Sequence, residues 1–244
     1  MCGIAGIFHF KNKAKVSNSL LTKMRDSMIH RGPDDGKNWI NNNKKLGFAH
    51  RRLSIIDLSP SASQPMSNEN KTIWVTFNGE IYNHKKLRKE LINLQHVFKT
   101  DHSDTEVLIH GFKEWGMKGL LKKIDGDYAF AIWDENNKQL YLARDRVGVK
   151  PLYFSYLNGS LFFASEIKSI LENPDIKREI DTTAMYHYLS FLTTPSPLTM
   201  FKNIFKLPSG YYMSIKDGGK IEYNKYWDAV PNKSYFNEET KLMN

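Results

Sequence analysis

The stretch from Asp127 to Ala164 sets the tightest limit on the fold. It holds four apolar, β-rich runs, at 127–133, 139–143, 151–156 and 160–164, separated by Asn136-Asn137, by a charged loop containing Gly148, and by Asn158-Gly159. Connections this short join antiparallel neighbours, because a parallel partner needs a crossover of a dozen or more residues. Further strands are expected at 2–8, 37–41, 46–55, 71–77 and 80–82, with Asn78-Gly79 as a tight turn between the last two. A final hairpin is expected to pair 210–216 with 220–224 around Asp217-Gly218-Gly219.

Helical spacing of apolar residues marks 19–30, 84–93, a longer helix from Ser103 through Trp115, a short piece at 117–123, and then 166–172 and 182–192. Ser103-x-x-Glu106 reads as a capping box for the longer helix, leaving Asp104 in its first turn. Many hairpin-joined strands with helices between them predict an α+β fold, two antiparallel sheets face to face with helices outside.

Charge and cysteine usage then remove several classes of function. The 35 Lys and Arg exceed 26 Asp and Glu for a net charge of +9. The cations are scattered, in nothing longer than adjacent pairs such as Arg51-Arg52, so the excess reads as solvated surface and no nucleic-acid partner is expected. A single cysteine excludes an internal disulfide and suits a reducing cytosol. No apolar run approaches the roughly 18 residues of a membrane span and no signal pattern opens the chain, so a cytoplasmic location without membrane contact is expected. The eight histidines lack metal-ligand spacing, phosphate-binding glycine loops are missing, and no metal site is expected.

That lone cysteine is Cys2. If the initiator methionine is removed, its thiol and a free α-amine share one residue, a nucleophile with its own base. Such an amine titrates at roughly 7.7–8.0, close to working pH. The plainer reading is a small hydrophobe opening a strand. Arg52, at a strand end, suits two parallel hydrogen bonds to a carboxylate, or is simply solvated. Asn78 and Gly79 are first a hairpin turn; they are also two donors able to face an oxyanion. Asp104 is free to bind an ammonium group while Ser103 and Glu106 serve the helix. The run Arg144-Asp145-Arg146 through Phe154 reads as a charged, loop-fixing network.

Seven stretches in order carry a resemblance: Cys2-Gly3-Ile4-Ala5-Gly6, His30-Arg31-Gly32-Pro33-Asp34, Arg52-Leu53-Ser54-Ile55-Ile56-Asp57, Phe77-Asn78-Gly79-Glu80-Ile81-Tyr82-Asn83, Ser103-Asp104-Thr105-Glu106, Gly126 to Asp134, and Arg144 to Phe154. They resemble the glutaminase domain of asparagine synthetases, class II glutamine amidotransferases of the N-terminal-nucleophile hydrolase group. The resemblance implies a four-layer αββα sandwich with Cys2 as nucleophile and base. It implies that Arg52 holds the glutamine carboxylate, that Glu80 and Asp104 bear on its amino end, and that Asn78 and Gly79 form the oxyanion hole. The backbone of Leu53, Ser54, Ile55 and Ile56 would line the pocket.

In this family a synthetase domain follows, with a Ser-Gly-Gly-x-Asp loop for ATP; that sequence does not occur here. The expected division is therefore a glutaminase domain over 2–210 and, over 211–244, a linker or the start of a synthetase domain. ATP and Mg2+ would belong to that other domain, with no cofactor in this chain. Expected partners are glutamine, a synthetase domain or chain accepting ammonia, and a second copy in a homodimer. Two other readings stay open: an amidotransferase part of a sugar- or peptide-modifying system, and a non-catalytic remnant used as an interaction module.

Overall fold

The computed structural model describes residues 1–54 and 60–230. In chain order they form β1 (Gly3–His9), α1 (Asn18–Asp26), β2 (Asp35–Ile40), β3 (Leu46–Arg52), β4 (Met66–Ser67), β5 (Ile73–Ile81), α2 (His84–Asn93) and α3 (Thr105–Lys123). The chain continues as β6 (Gly126–Asp134), β7 (Gln139–Arg144), β8 (Tyr153–Leu157), β9 (Ser160–Ala164), α4 (Ile167–Ile170), α5 (Thr182–Phe191), β10 (Ile204–Lys206), β11 (Tyr211–Lys216) and β12 (Ile221–Lys225). The strands make two six-stranded antiparallel sheets, ordered β10-β8-β9-β1-β3-β2 and β12-β11-β7-β6-β5-β4.

Alternation along the strands sets the layers. Ile4 and Phe8 of β1 point between the sheets, where they meet Phe48, Phe163, Trp133 and Leu142. Ala5 and Ile7 point the other way, onto Leu21 and Met24 of α1 and Ile170 of α4. On β6, Ala129, Ala131 and Trp133 join the inter-sheet core, whereas Tyr128, Phe130 and Ile132 pack on Leu108, Phe112 and Leu120 of α3. This is the expected αββα order. Strands covered on both faces lose the polar alternation of a surface sheet, which is why 128–133 reads as a continuous apolar run. Each buried Leu, Ile, Phe or Met among them contributes roughly 1.5–3 kcal/mol.

Three local expectations are corrected. Asn78-Gly79 is no turn: β5 runs through it, paired with β6 in one register from Ile73↔Asp134 to Ile81↔Gly126. Nine paired positions, with Phe77 and Ile81 buried in the layer against α3, outweigh a two-residue turn preference. The capping box does not form either. Glu106 turns back to the preceding loop, accepting the N–H groups of Lys99 and Thr100 at 2.7 and 2.9 Å and the Thr100 hydroxyl at 2.6 Å. The pieces expected around 103–115 and 117–123 are one element, broken at Gly116, whose φ of 63° leaves the helical region.

The linker expected from 211 does not begin there. Tyr211–Lys216 pairs with β7 and Ile221–Lys225 extends the same sheet, after which the Tyr226 hydroxyl donates to the Arg144 carbonyl at 2.7 Å. Residues 231–244 lie outside the described residues. Among the described residues, no helix is long and apolar enough to cross a membrane.

Glu106 gives this architecture a testable acid limb. Burial pushes its carboxyl up, but hydrogen bonds from His110, Lys99 and Thr100 outweigh that and hold it at about 2. A carboxyl depressed on folding contributes stability above its unfolded value, lost as pH falls through the folded one. Glu106→Gln should cost about 1–3 kcal/mol at neutral pH by urea denaturation. The gap to the parent should close as pH falls from about 4.5 towards 2.

Candidate active site

Cys2 leaves the first sheet beside the end of β3. Gly3 pairs with Arg51, so the residue before it comes out next to Arg52 and Leu53. The Cys2 sulfur accepts the Leu53 N–H at 3.4 Å and lies 3.7 Å from the Leu53 carbonyl, to which its S–H can donate. Arg31 clamps the same residue from behind, Nε donating to the Cys2 carbonyl at 2.9 Å and Nη1 to Glu166 at 3.1 Å.

The loop at 30–34 frames both strand ends, a role the sequence reading did not assign. A Cβ on Gly32 would sit 2.4–2.6 Å from the backbone of Arg51 and Arg52, so only glycine lets the loop lie flat on β3. Asp34 donates its N–H to the Arg52 carbonyl and accepts that of Ser54 at 2.7 Å.

The second sheet supplies the facing wall through β5. His50 of β3 donates from Nε2 to the Phe77 carbonyl at 3.1 Å. Burial pulls the His50 pKa down to about 4, so the ring is neutral and a donor. The outward edge of β5 is taken up almost entirely by side chains. Asn68 accepts the N–H of Ile73, Gln64 that of Phe77 at 2.7 Å, and Asp104 that of Ile81 at 3.0 Å. Strand alternation turns the Gly79 N–H to this edge, between the last two. Asn78 is 1% exposed, and its side-chain Nδ2 has no partner among the described residues. A buried amide left without an acceptor is costly, and such orphans mark places where a ligand or water completes the bonding.

Asp104 closes the third side, at the start of α3. Its carboxyl is pushed up to about 6, chiefly by burial with Glu80 adding to it, against the Ile81 N–H and other backbone N–H groups that pull it down. Burial likewise raises the Cys2 thiol, only partly offset by the Leu53 N–H, the chain N-terminus and Arg52. A raised thiol is a poor nucleophile until a base takes its proton.

One cavity of about 150 Å3 is bounded by Cys2, Arg52, Leu53, Asn78, Gly79, Glu80 and Asp104, all expected from the sequence. Ser54 does not line it, and Ile55 and Ile56 lie outside the described residues. Met1, Gln64, Thr105 and Lys150 line it as well, and the sequence reading missed them. Gln64 carried no signal, being one polar residue in a Ser- and Pro-rich loop. Lys150 sat inside the run read as a loop-fixing network, which it is. Buried Asp145 accepts the N–H groups of Tyr128, Gly148, Val149 and Lys150, and Arg144 donates to the carbonyls of Gly148, Lys150 and Leu207. Among the described residues, no group of His, Cys, Asp and Glu is arranged to hold a metal ion.

Residues 1–227 match the family model described as a glutamine amidotransferase domain. The chain belongs to this family. It is 39% identical, over its whole length, to asparagine synthetase [glutamine-hydrolyzing] 1 of Bacillus subtilis, and 37% identical over 96% of its length to asparagine synthetase [glutamine-hydrolyzing] 3 of the same organism. In both cases the amidotransferase chain spans about 38% of the relative's length. Its fold is similar to that of glutamine phosphoribosylpyrophosphate amidotransferase from B. subtilis, solved with ADP and GMP. The TM-score there is 0.65 at 20% identity, covering 94% of this chain and 50% of the other.

Gly79 and Gly218 separate close approach from backbone strain. A Cβ on Gly79 would meet the Asp127 carbonyl at 2.2 Å and Tyr128 Cα at 2.7 Å, so Gly79→Ala must part β5 from β6. A Cβ on Gly218, at φ 74°, would meet nothing within 4 Å among the described residues. Gly218→Ala should cost about 1–2 kcal/mol, the left-handed penalty alone. By urea denaturation, Gly79→Ala should cost about 2–3 kcal/mol.

Proposed function

We propose that this amidotransferase domain hydrolyses the side-chain amide of glutamine with Cys2 as nucleophile, supplying ammonia for amidation of aspartate by an associated synthetase part. The observation that carries this reading is the pair of donors opposite the thiol, the orphaned Asn78 Nδ2 and the outward Gly79 N–H. Such donors suit the oxygen of a tetrahedral intermediate, and losing one typically costs about 2.7–4 kcal/mol of barrier.

The chemistry follows from the groups present. With Met1 removed, the Cys2 α-amine takes the thiol proton as sulfur bonds to the amide carbon. The proton then goes to the departing nitrogen, which leaves as ammonia, and a thioester remains. Water attacks the thioester, assisted by the same amine, releasing glutamate and restoring the thiol. While Met1 is attached, the Cys2 nitrogen is a peptide amide with no basic lone pair. The Arg31 bond to the Cys2 carbonyl does not involve Met1 and would keep the strand end in place after its removal. Arg52 holds the substrate carboxylate by a guanidinium fork, and Glu80 with Asp104 receives the ammonium. Leu53 contributes backbone. ATP and Mg2+ belong to the synthetase part, and the single thiol suits a reducing cytoplasm.

Three measurements test this. Cys2→Ala should release no glutamate above background while unfolding like the parent; undiminished release would end the assignment. Arg52→Lys should chiefly raise KM for glutamine, since a point charge replaces a bidentate fork; loss confined to kcat would contradict that role. For Asp104, the fall of kcat/KM with pH should steepen by about a further tenfold per pH unit below about 6, beyond the fall set by the Cys2 amine, as the free carboxyl takes up a proton and stops receiving the ammonium. A profile that fails to steepen down to about pH 4.5 would exclude Asp104 as that group.

A further inference from the structure

Among the described residues, almost nothing covers helix α5. Of its ten residues only Ala184 is buried, held at the N-cap by Asp181, which accepts the Ala184 N–H at 2.9 Å. Met185, Tyr186, Leu189 and Phe191 are exposed, as are Ile180 before it and Leu192 after it, with Leu189, Phe191 and Leu192 at 72, 68 and 80%. No Lys, Arg, Asp or Glu occurs from 182 to 201, in a chain that is 25% charged. A helix that carries this many large apolar side chains and no charge is normally a buried one. A patch rich in Tyr, Phe, Met and Leu, with Asp181 at the helix cap as its one carboxylate and His187 its one imidazole, has the make-up of a permanent interface core. The absence of cations from it removes the usual attraction to an anionic membrane surface.

The segment after α5 is bonded to the cleft. Lys206 donates its ammonium to the Thr194 carbonyl and hydroxyl, both at 2.8 Å, and its N–H to Pro197 at 2.8 Å. The next carbonyl, of Leu207, accepts from Arg144, whose Nε donates to Lys150 on the cleft wall. The apolar surface is thus tied to the loop that borders the proposed site of ammonia release. Relatives at 37–40% identity match this chain along 88–100% of its length, and in them the match makes up only 29–38% of the protein. In each, the larger part of the protein lies outside the match and is available to cover a face of this fold.

We propose that α5 and its flanks, Ile180 to Leu192, are the surface on which the ammonia-accepting protein part docks, through an apolar, charge-poor face of its own. This rests on the glutaminase reading for the identity of the acceptor. The test uses the native assembly purified through a tag on this chain, the 1–244 chain alone, and the double variant Leu189→Asp/Phe191→Asp. Val97→Asp, at an exposed apolar residue outside the patch, is the control.

Amide hydrogen exchange over 182–192 should be at least about tenfold slower in the assembly than in the chain alone. The double variant should release glutamate within about twofold of the parent. Amide product per glutamate should fall at least about tenfold, and added ammonium salt should restore product. Val97→Asp should leave that ratio unchanged. Equal exchange in both samples, an unchanged product ratio in the double variant, or protection arising from a second copy of this chain would each overturn the proposal. A parent that releases no glutamate while 182–192 stays protected by another protein part would count against the glutaminase reading and leave the docking surface standing.

Discussion

One hydrogen bond between the two sheets, from His50 on β3 to the Phe77 carbonyl on β5, sits beneath the cleft. Each sheet is a closed hydrogen-bonded body, and between them there is otherwise mostly side-chain packing, which tolerates small slides. A directional bond at the residue before Asn78 limits that slide where it matters. It works because the ring is neutral: burial holds the pKa near 4, so the imidazole keeps one donor without bringing a charge between the sheets. The Thr76 hydroxyl, donating to the Ala49 carbonyl at 3.4 Å, adds a weaker tie one residue earlier on each strand. The Cys2 thiol and the donors of Asn78 and Gly79 are therefore held across the cleft from one another by contacts made between the sheets.

Around this tie, the groups lining the cleft come from the ends of different elements, each fixed by a bond to backbone. Arg31 holds the Cys2 carbonyl, Asp34 holds the Arg52 carbonyl, and Gln64 and Asp104 hold the edge of β5. Asp104 serves two masters, since the oxygen that fixes Ile81 belongs to the carboxyl that faces the cavity. Its raised pKa expresses that conflict: a buried carboxylate held by backbone donors beside a second carboxylate, Glu80. A bound cation would relieve it.

What could be read in the sequence was chemistry with short-range grammar. A cysteine at position 2, an aspartate opening a helix and strands separated by short turns are all local patterns, and each led to the right element. The Asn78-Gly79 turn failed because a two-residue preference competes with nine positions of pairing to β6, and that pairing partner is about fifty residues away. The capping box failed for a similar reason: Glu106 found two N–H groups and a hydroxyl in the loop before it, where Ser103 offered one N–H. The roles of Gln64, Arg31 and Gly32 could not be seen because they depend on which backbone lies opposite, a tertiary fact. Residues 182–192 were correctly read as a helix, but periodicity locates helices without saying whether anything covers them.

The edge of β5 has one more consequence. An open strand edge ordinarily recruits further strands, from the same chain or from other molecules, and proteins guard against this with charges, bulges or short neighbours. Here the guard is made of side-chain oxygens, from Asn68, Gln64 and Asp104, that imitate the carbonyls of a missing strand beyond the two-residue β4. They satisfy donors one at a time and offer no continuous ladder to extend. The gap they leave, at Gly79, is a single residue wide, too narrow for strand addition and wide enough for one oxygen atom. The same side chains that cap this edge thereby leave one backbone donor, the Gly79 N–H, on the side of the cleft.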